Sequence, residues 1–120
     1  MIVSKTPLRL TLGGGGTDLP AYSSTYGGFV VTSAINKYIY LVINRRFEIP
    51  IRASYSITEI VHPIDNIKHP VIREVLKLLG LKSNLEIISI AELPSKTGLG
   101  SSSCFTVGFY LRFIRIKMSF

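Results

Sequence analysis

The chain has 120 residues, 47% of them hydrophobic and 18% charged, with a formal charge of +7 at pH 7. That length holds one domain at most, with a modest core, and the composition is globular and not disordered. No apolar run reaches the roughly 18 residues that a bilayer span needs, and Lys5 and Arg9 sit inside an alternating pattern instead of ahead of a long apolar core. A cytoplasmic address is the expectation. A nucleic-acid partner is not expected, because the cations are scattered and no aromatic residues interleave with them as a stacking platform requires. Arg112, Arg115 and Lys117 all lie beyond the last acidic residue, Glu92, and supply three of the seven excess charges. The single cysteine, Cys104, excludes an internal disulfide, and no His/Cys cluster offers zinc ligands. Cys104 reads as a small buried residue at a helix start, the alternative being a reactive thiol.

In chain order, Ile2 to Leu12 alternates as a strand does, and Thr17 or Asp18 is placed to cap a short helix through Tyr26, stopped by Gly27-Gly28. Phe29 to Ile35, Tyr38 to Phe47 and Ile49 to Val61 are rich in Val, Ile and Tyr and predict further strands, antiparallel to one another. His69-Pro70 opens a helix with Val71, Ile72, Val75, Leu76 and Leu79 on one face and Gly80 at its end. Leu85 to Ile90 is a strand, and a helix is expected from Ser101 onward. This order gives an α+β sandwich of one mixed sheet and one helical layer.

Two glycine-rich corners carry the chemistry. Between the last strand and the last helix runs Pro94-Ser95-Lys96-Thr97-Gly98-Leu99-Gly100-Ser101-Ser102-Ser103. Glycines there let an anion approach the main chain, while amides and a helix N-terminus supply donors and partial positive charge. The order fits neither the Walker A pattern nor the dinucleotide fingerprint; the plain alternative is a Gly/Ser-rich surface turn. Near the N-terminus, Thr6-Pro7-Leu8-Arg9-Leu10-Thr11-Leu12 runs into Gly13-Gly14-Gly15-Gly16-Thr17-Asp18-Leu19-Pro20.

Pro-x-x-x-Gly-Leu-Gly-Ser-Ser resembles the second motif of the GHMP kinases, and Pro7, Arg9, Thr17 and Asp18 match the first motif of that superfamily's sugar kinases. The resemblance covers the chain to about Gly108 and implies an α+β fold, the GHMP kinase N-terminal domain. That is a ribosomal-protein-like two-layer sandwich of a mixed sheet and helices, with a left-handed crossover, and here an incomplete one. Galactokinase-like members carry a Glu-His pair where this chain has Gly15 and Gly16. The form here, with Ala34-Ile35-Asn36-Lys37-Tyr38 and Ser54-Tyr55-Ser56, looks most like the branch acting on heptose phosphates.

The resemblance implies ATP and Mg2+ as cofactors and, as acceptor, the anomeric oxygen of a seven-carbon sugar 7-phosphate, with no nucleic-acid or membrane partner. Nucleotide phosphates fall to Pro94, Lys96, Thr97, Gly98, Leu99, Gly100, Ser101 and Ser102, with the Ser102 hydroxyl, or Ser101's, on magnesium, an ion that takes hard oxygen donors. Arg9 is the implied catalytic residue, facing the transferred phosphoryl group, against the alternative of a surface ion pair. Gly14, Gly15, Gly16, Thr17 and Asp18 form the acceptor side; Asp18 would accept sugar hydroxyls. Lys37, Arg45, Arg46 and Arg52 are the cations available for a distal phosphate, and Glu48, Glu59, Asp65, Glu74 and Glu86 read as solvated faces.

The family's aspartate base and magnesium-shell glutamate lie downstream of the phosphate loop, and neither is assigned here, so the isolated chain is expected to be inactive. Residues 1 to 108 are read as a partial N-terminal domain. Residues 109 to 120, bulky, β-branched and basic, are read as an atypical tail expected from a truncation or frame shift, the alternative being a short helix that binds a membrane or partner. Other readings are a fucose- or galactose-type kinase, or a non-catalytic remnant that binds nucleotide weakly.

Overall fold

The computed structural model describes residues 1 to 94 and 96 to 118, the side chains of 116 to 118 excepted. Five strands form one mixed sheet: β1 (Ile2–Gly13), β2 (Val31–Arg45), β3 (Ile51–Ser54), β4 (Thr58–Val61) and β5 (Leu85–Ala91), in the spatial order β1-β2-β5-β3-β4. Helices are α1 (Pro20–Tyr26), α2 (Pro70–Leu79) and α3 (Ser101–Met118), with a single 3-10 turn at Ile64–Asn66. β1 with β2, β2 with β5 and β3 with β4 are antiparallel, while β3 runs parallel to β5. That parallel pair makes the sheet mixed, as expected. A parallel neighbour needs a crossover, and here residues 62 to 84, including α2, supply it.

The expected strands Phe29 to Ile35 and Tyr38 to Phe47 are one strand, β2. Tyr38 opposes Pro7 and Ala34 opposes Arg9, so Ile35, Asn36 and Lys37 bulge opposite Leu8. The bulge absorbs the polar pair that looked like a strand break, and a bulge bends its strand locally.

α2 and α3 cover one face of the sheet. From the sheet come Leu8, Leu41, Ile43, Ile51 and Ile87, and from the helices Ile72, Leu76, Phe109 and Phe113, each at most 1% exposed. Phe105, Phe109 and Phe113 recur every four residues along one side of α3, with ring centroids 5.6 and 4.5 Å apart. The helix therefore crosses from 108 into the segment set apart as a tail, and two of that segment's side chains are core residues. Gly108 lets the helix press on β1: a Cβ there would stand 2.5 Å from Thr6 Oγ1 and 3.1 Å from Ser4 Oγ. No helix among the described residues is long and apolar enough to cross a membrane.

α2 starts as its sequence predicts and gains a cap that the sequence reading missed. The His69 side chain accepts the Ile72 amide at 3.4 Å through Nδ1, with Pro70 at the first position. Gly80 closes the helix in the left-handed conformation, its amide bonding to Leu76 and Lys77 carbonyls.

Neither Thr17 nor Asp18 caps α1. The N-cap is Leu19 with no side-chain bond, Pro20 opens the helix, and none of its residues is buried. Thr17 is spent elsewhere: its hydroxyl donates to the carbonyls of Gly14 (2.7 Å) and Phe29 (3.0 Å) and accepts the Phe29 amide (3.1 Å).

Glu59, expected on a solvated face, is only 7% exposed. Its carboxylate accepts the Lys68 amide at 3.1 and 3.3 Å, closing the loop between β4 and α2, while Ile60 faces outward instead. Burying a carboxylate is tolerable only with such partners.

Candidate functional site

The two glycine-rich corners meet at Arg9. The Arg9 amide donates to the Leu99 carbonyl at 3.1 Å, stitching the phosphate loop to the outer edge of β1. The Arg9 side chain lies over Gly100, where an added Cβ would stand 2.8 Å from Nε and 3.0 Å from Cγ; Gly100 itself has φ +72. Nη1 of Arg9 donates to Thr11 Oγ1 at 2.8 Å, which fixes the guanidinium. One turn into α3, Cys104 ties down the same corner: its amide donates to the Gly100 carbonyl (2.9 Å) and its thiol to the Pro7 carbonyl (3.0 Å). Burial pushes the Cys104 thiol pKa up, and the nearby Arg9 charge pulls it partly back.

Beyond Leu99 and Gly100, the loop is exposed. Pro94, Lys96, Thr97 and Gly98 face solvent, Lys96 with φ +66 and Gly98 with φ +75. Ser95 lies outside the described residues. Ser101, Ser102 and Ser103 form the first turn of α3, whose amides have no intrahelical acceptor.

Ser101 and Ser102 stand at the mouth of a cleft of about 480 Å3, walled by Ile39, Tyr55, His69, Leu93, Pro94 and Phe105 among others. Its rings form a chain into the core, Tyr55 to His69 at 4.7 Å and His69 to Phe105 at 5.2 Å. Burial and then the Glu59 charge push the Tyr55 pKa up. None of Tyr55, His69 and Phe105 stood among the sequence-derived site residues; the one available signal was Tyr55's place in the Ser54-Tyr55-Ser56 string. Glu92 aims the chain from β5 into the loop, its carboxylate accepting the Tyr38 amide at 2.7 Å.

Burial also holds the His69 pKa below its ordinary value, against a smaller opposite pull from Glu59. The neutral ring is the one whose Nδ1 can cap α2. An unfolded chain takes up the proton near pH 6.5 while the folded one resists, so the contribution is whole above that pH and is lost as pH falls below it. Urea midpoints are expected to drop between pH 7 and pH 5, and less in His69→Asn, which keeps a capping acceptor without the titration. Equal drops in both proteins would assign the effect elsewhere.

On the acceptor side, Gly14 has φ +76, and a Cβ there would stand 1.9 Å from the Phe29 carbonyl oxygen, so no side chain fits. Gly15 and Gly16 are exposed; the Asp18 carboxylate is exposed and has no partner among the described residues. The structure joins Arg9 to the phosphate loop, while among the described residues no hydrogen bond links that loop to the Thr17-Asp18 turn.

Three of the four candidate cations for a distal phosphate are at the wrong end of the sheet. Arg45 pairs with Leu85 and Arg52 with Glu86, at the start of β5, whereas the phosphate loop follows its end. Six residue steps along β5 are about 20 Å, further than a sugar phosphate reaches. Arg46 belongs to the same far corner, and only Lys37, on the β2 bulge, lies near Arg9's end. Among the described residues no group of three or more His, Cys, Asp or Glu is placed to hold a metal.

No protein-family model matches the chain. A curated relative, D-glycero-alpha-D-manno-heptose 7-phosphate kinase of Campylobacter jejuni, is 32% identical over 119 residues, covering 89% of this chain and 35% of that protein. A crystal structure of a D-glycero-D-manno-heptose 1-phosphate kinase from Bacteriodes thetaiotaomicron superposes with TM-score 0.81 at 27% identity, covering 95% of this chain and 41% of that one. The chain resembles the N-terminal part of the GHMP sugar kinases. The GHMP fold extends to Methanococcus jannaschii mevalonate kinase, TM-score 0.67 over 91% of this chain and 38% of that one, where 19% identity speaks for fold alone. The chain spans about a third of the length of the curated GHMP relative it matches. The expected α+β sandwich of a mixed sheet and helices is thus the observed one, and it matches the fold of the kinase structures.

Proposed function

We propose that this chain is the nucleotide-phosphate and acceptor-side portion of an ATP- and magnesium-dependent kinase that phosphorylates the anomeric oxygen of D-glycero-D-manno-heptose 7-phosphate in the cytoplasm. The observation that supports the reading is the seating of Arg9, from the first motif, on Gly100, from the second. The heptose part rests on the relatives' names, which differ in the phosphate they print; the 7-phosphate is preferred because the curated relative carries it.

The residues present fit a nucleotide. The cleft's volume lies within the range of ligand pockets, its walls are aromatic and apolar where a base would lie, and its mouth is the amide-rich start of α3. ATP with magnesium supplies the transferable phosphoryl group and neutralises part of its charge. Thr97 to Ser102 would hold phosphate oxygens through their amides, with Pro94, Leu99 and Gly100 shaping the loop and Lys96 adding a point charge. The Ser102 hydroxyl would be a magnesium ligand, Ser101's being the alternative. Arg9, fixed by Thr11, would stabilise charge on the transferring group. Asp18 would accept sugar hydroxyls, with Gly14, Gly15, Gly16 and Thr17 shaping the turn. We expect the isolated chain to bind nucleotide without turning it over, because the aspartate base and second magnesium carboxylate that the resemblance implies match no residue here.

Gly15 tests the acceptor. Its backbone carries no left-handed strain, and a Cβ would stand 3.3 Å from a Thr11 methyl, so a side chain is accommodated with a small shift. In a full-length relative, glutamate at this position is expected to lower kcat/KM for heptose 7-phosphate by at least about tenfold, roughly 1.4 kcal/mol. Unchanged turnover would remove the open turn from acceptor recognition.

A further inference from the structure

At the end of the sheet remote from the phosphate loop, a second cleft, of about 340 Å3, is lined by Arg45, Arg46, Phe47, Lys82, Ser83 and Asn84, among others. Its frame is built by Asn84, which sits at φ +62. The Asn84 amide donates to the Ile49 carbonyl (2.9 Å), its carbonyl accepts the Arg46 amide (2.8 Å), and Nδ2 donates to the carbonyls of Phe47 (3.3 Å) and Glu48 (3.2 Å). Ser83 Oγ donates to Asn84 Oδ1 at 2.7 Å and orients that amide. Asn84 thus clamps the β2–β3 connection onto the start of β5.

The clamp turns Arg46 inward. Its side chain is 17% exposed; Nη2 is paired with Glu48, whereas Nη1 is buried with no partner. A buried donor of a charged group left without an acceptor is costly. The Lys82 ammonium is exposed and has no partner among the described residues, and the Lys82 and Ser83 amides make no backbone hydrogen bond there. Glu48 is the carboxylate paired with Arg46; Glu86, the next acid along, is engaged by Arg52 at 3.3 Å. Glu48 is 67% exposed, so its pairing with Arg46 is open to water and to competing anions.

We propose that this cleft binds a phosphate-class oxyanion, either free phosphate or the phosphate of a monoester. Arg46 and Lys82 are its charged donors, and Glu48 competes for the guanidinium. A planar guanidinium and an ammonium beside the Lys82 and Ser83 amides are the donors such an ion takes. The site is independent of the nucleotide site, about 20 Å away along β5.

The test is a residue-resolved amide-shift titration of the 120-residue chain with sodium phosphate, glucose 6-phosphate and, at matched ionic strength, sodium acetate. Saturable shifts at Lys82, Ser83 and Asn84 with either phosphate are expected, weakened about threefold or more by Lys82→Gln and strengthened about twofold by Glu48→Gln. Saturation by both phosphates assigns an open site that takes monoesters; saturation by inorganic phosphate alone assigns the free ion. Acetate shifting these amides equally, or both variants titrating as the parent does, overturns the proposal. Shifts confined to Gly98 through Ser102 overturn it too, while leaving the nucleotide reading intact.

Discussion

Truncating Phe109 to alanine is expected to cost about 3 to 5 kcal/mol of folding free energy, a large share of the total of about 5 to 15 kcal/mol that a domain has. Phe109 is fully buried, and it stands between Phe105 and Phe113 at centroid distances of 5.6 and 4.5 Å. Its loss removes the middle of the aromatic row by which α3 rests on the sheet, at the level where Gly108 presses on Thr6. The effect should reach the site, because the first turn of α3 holds the phosphate loop through Cys104. Urea denaturation of Phe109→Ala and Phe109→Leu measures it, the leucine variant retaining much of the volume and most of the stability. A loss under about 1 kcal/mol for the alanine variant would mean that α3 does not pack as described.

Gly100→Val is expected to weaken magnesium–nucleotide binding by at least about tenfold, roughly 1.4 kcal/mol, with a smaller loss of stability. The left-handed angle alone costs an L-residue about 1 to 2 kcal/mol, and β-branching makes it worse. The new Cβ also collides with Nε and Cγ of Arg9. A long side chain can move aside, so the chain still folds, but the guanidinium leaves the loop. Gly98→Ala separates strain from displacement: Gly98 has φ +75 with open space around it, so its variant pays strain alone. Calorimetric titration of both should show the larger loss at Gly100; equal losses would deny the Arg9 contact a role.

Much of the sheet, α2 and the start of α3 were legible because local signals agreed with the tertiary outcome. Alternation marked β1, and Pro70 with Gly80 bracketed α2. What escaped were features decided by partners distant in sequence. Asn36-Lys37 looked like a break, yet β1 is long enough to hold β2 through a bulge there. Nothing local distinguishes β3 as parallel to β5, since the crossover is set by packing. Glu59 was assigned outward by residue type; the Lys68 amide turns it inward and inverts the strand's polarity. Thr17 and Asp18 had the chemistry of caps, but Pro20 and the demand of Phe29 on the Thr17 hydroxyl moved the helix start past them.

At the site, residue types were readable and their assembly was not. The motifs named Arg9 and Gly100 separately, and their contact depends on the loop running along an edge strand. His69 and Phe105 carry no motif, Tyr55 only the Ser54-Tyr55-Ser56 string of the resemblance, and the three are joined only by the fold. Arg45, Arg46 and Arg52 matched the charge a sugar phosphate needs, and the register places them at the other end of the sheet.

The most direct measurement is a titration of the isotope-labelled chain with ADP, with and without magnesium, followed at individual backbone amides. Saturable, magnesium-strengthened shifts at Gly98, Gly100, Ser101 and Ser102, with ring-current shifts at Tyr55, His69 and Phe105, are the predicted result. Shifts absent from these residues at millimolar ADP, or unchanged by magnesium, would contradict the assignment of this loop and cleft to a nucleotide.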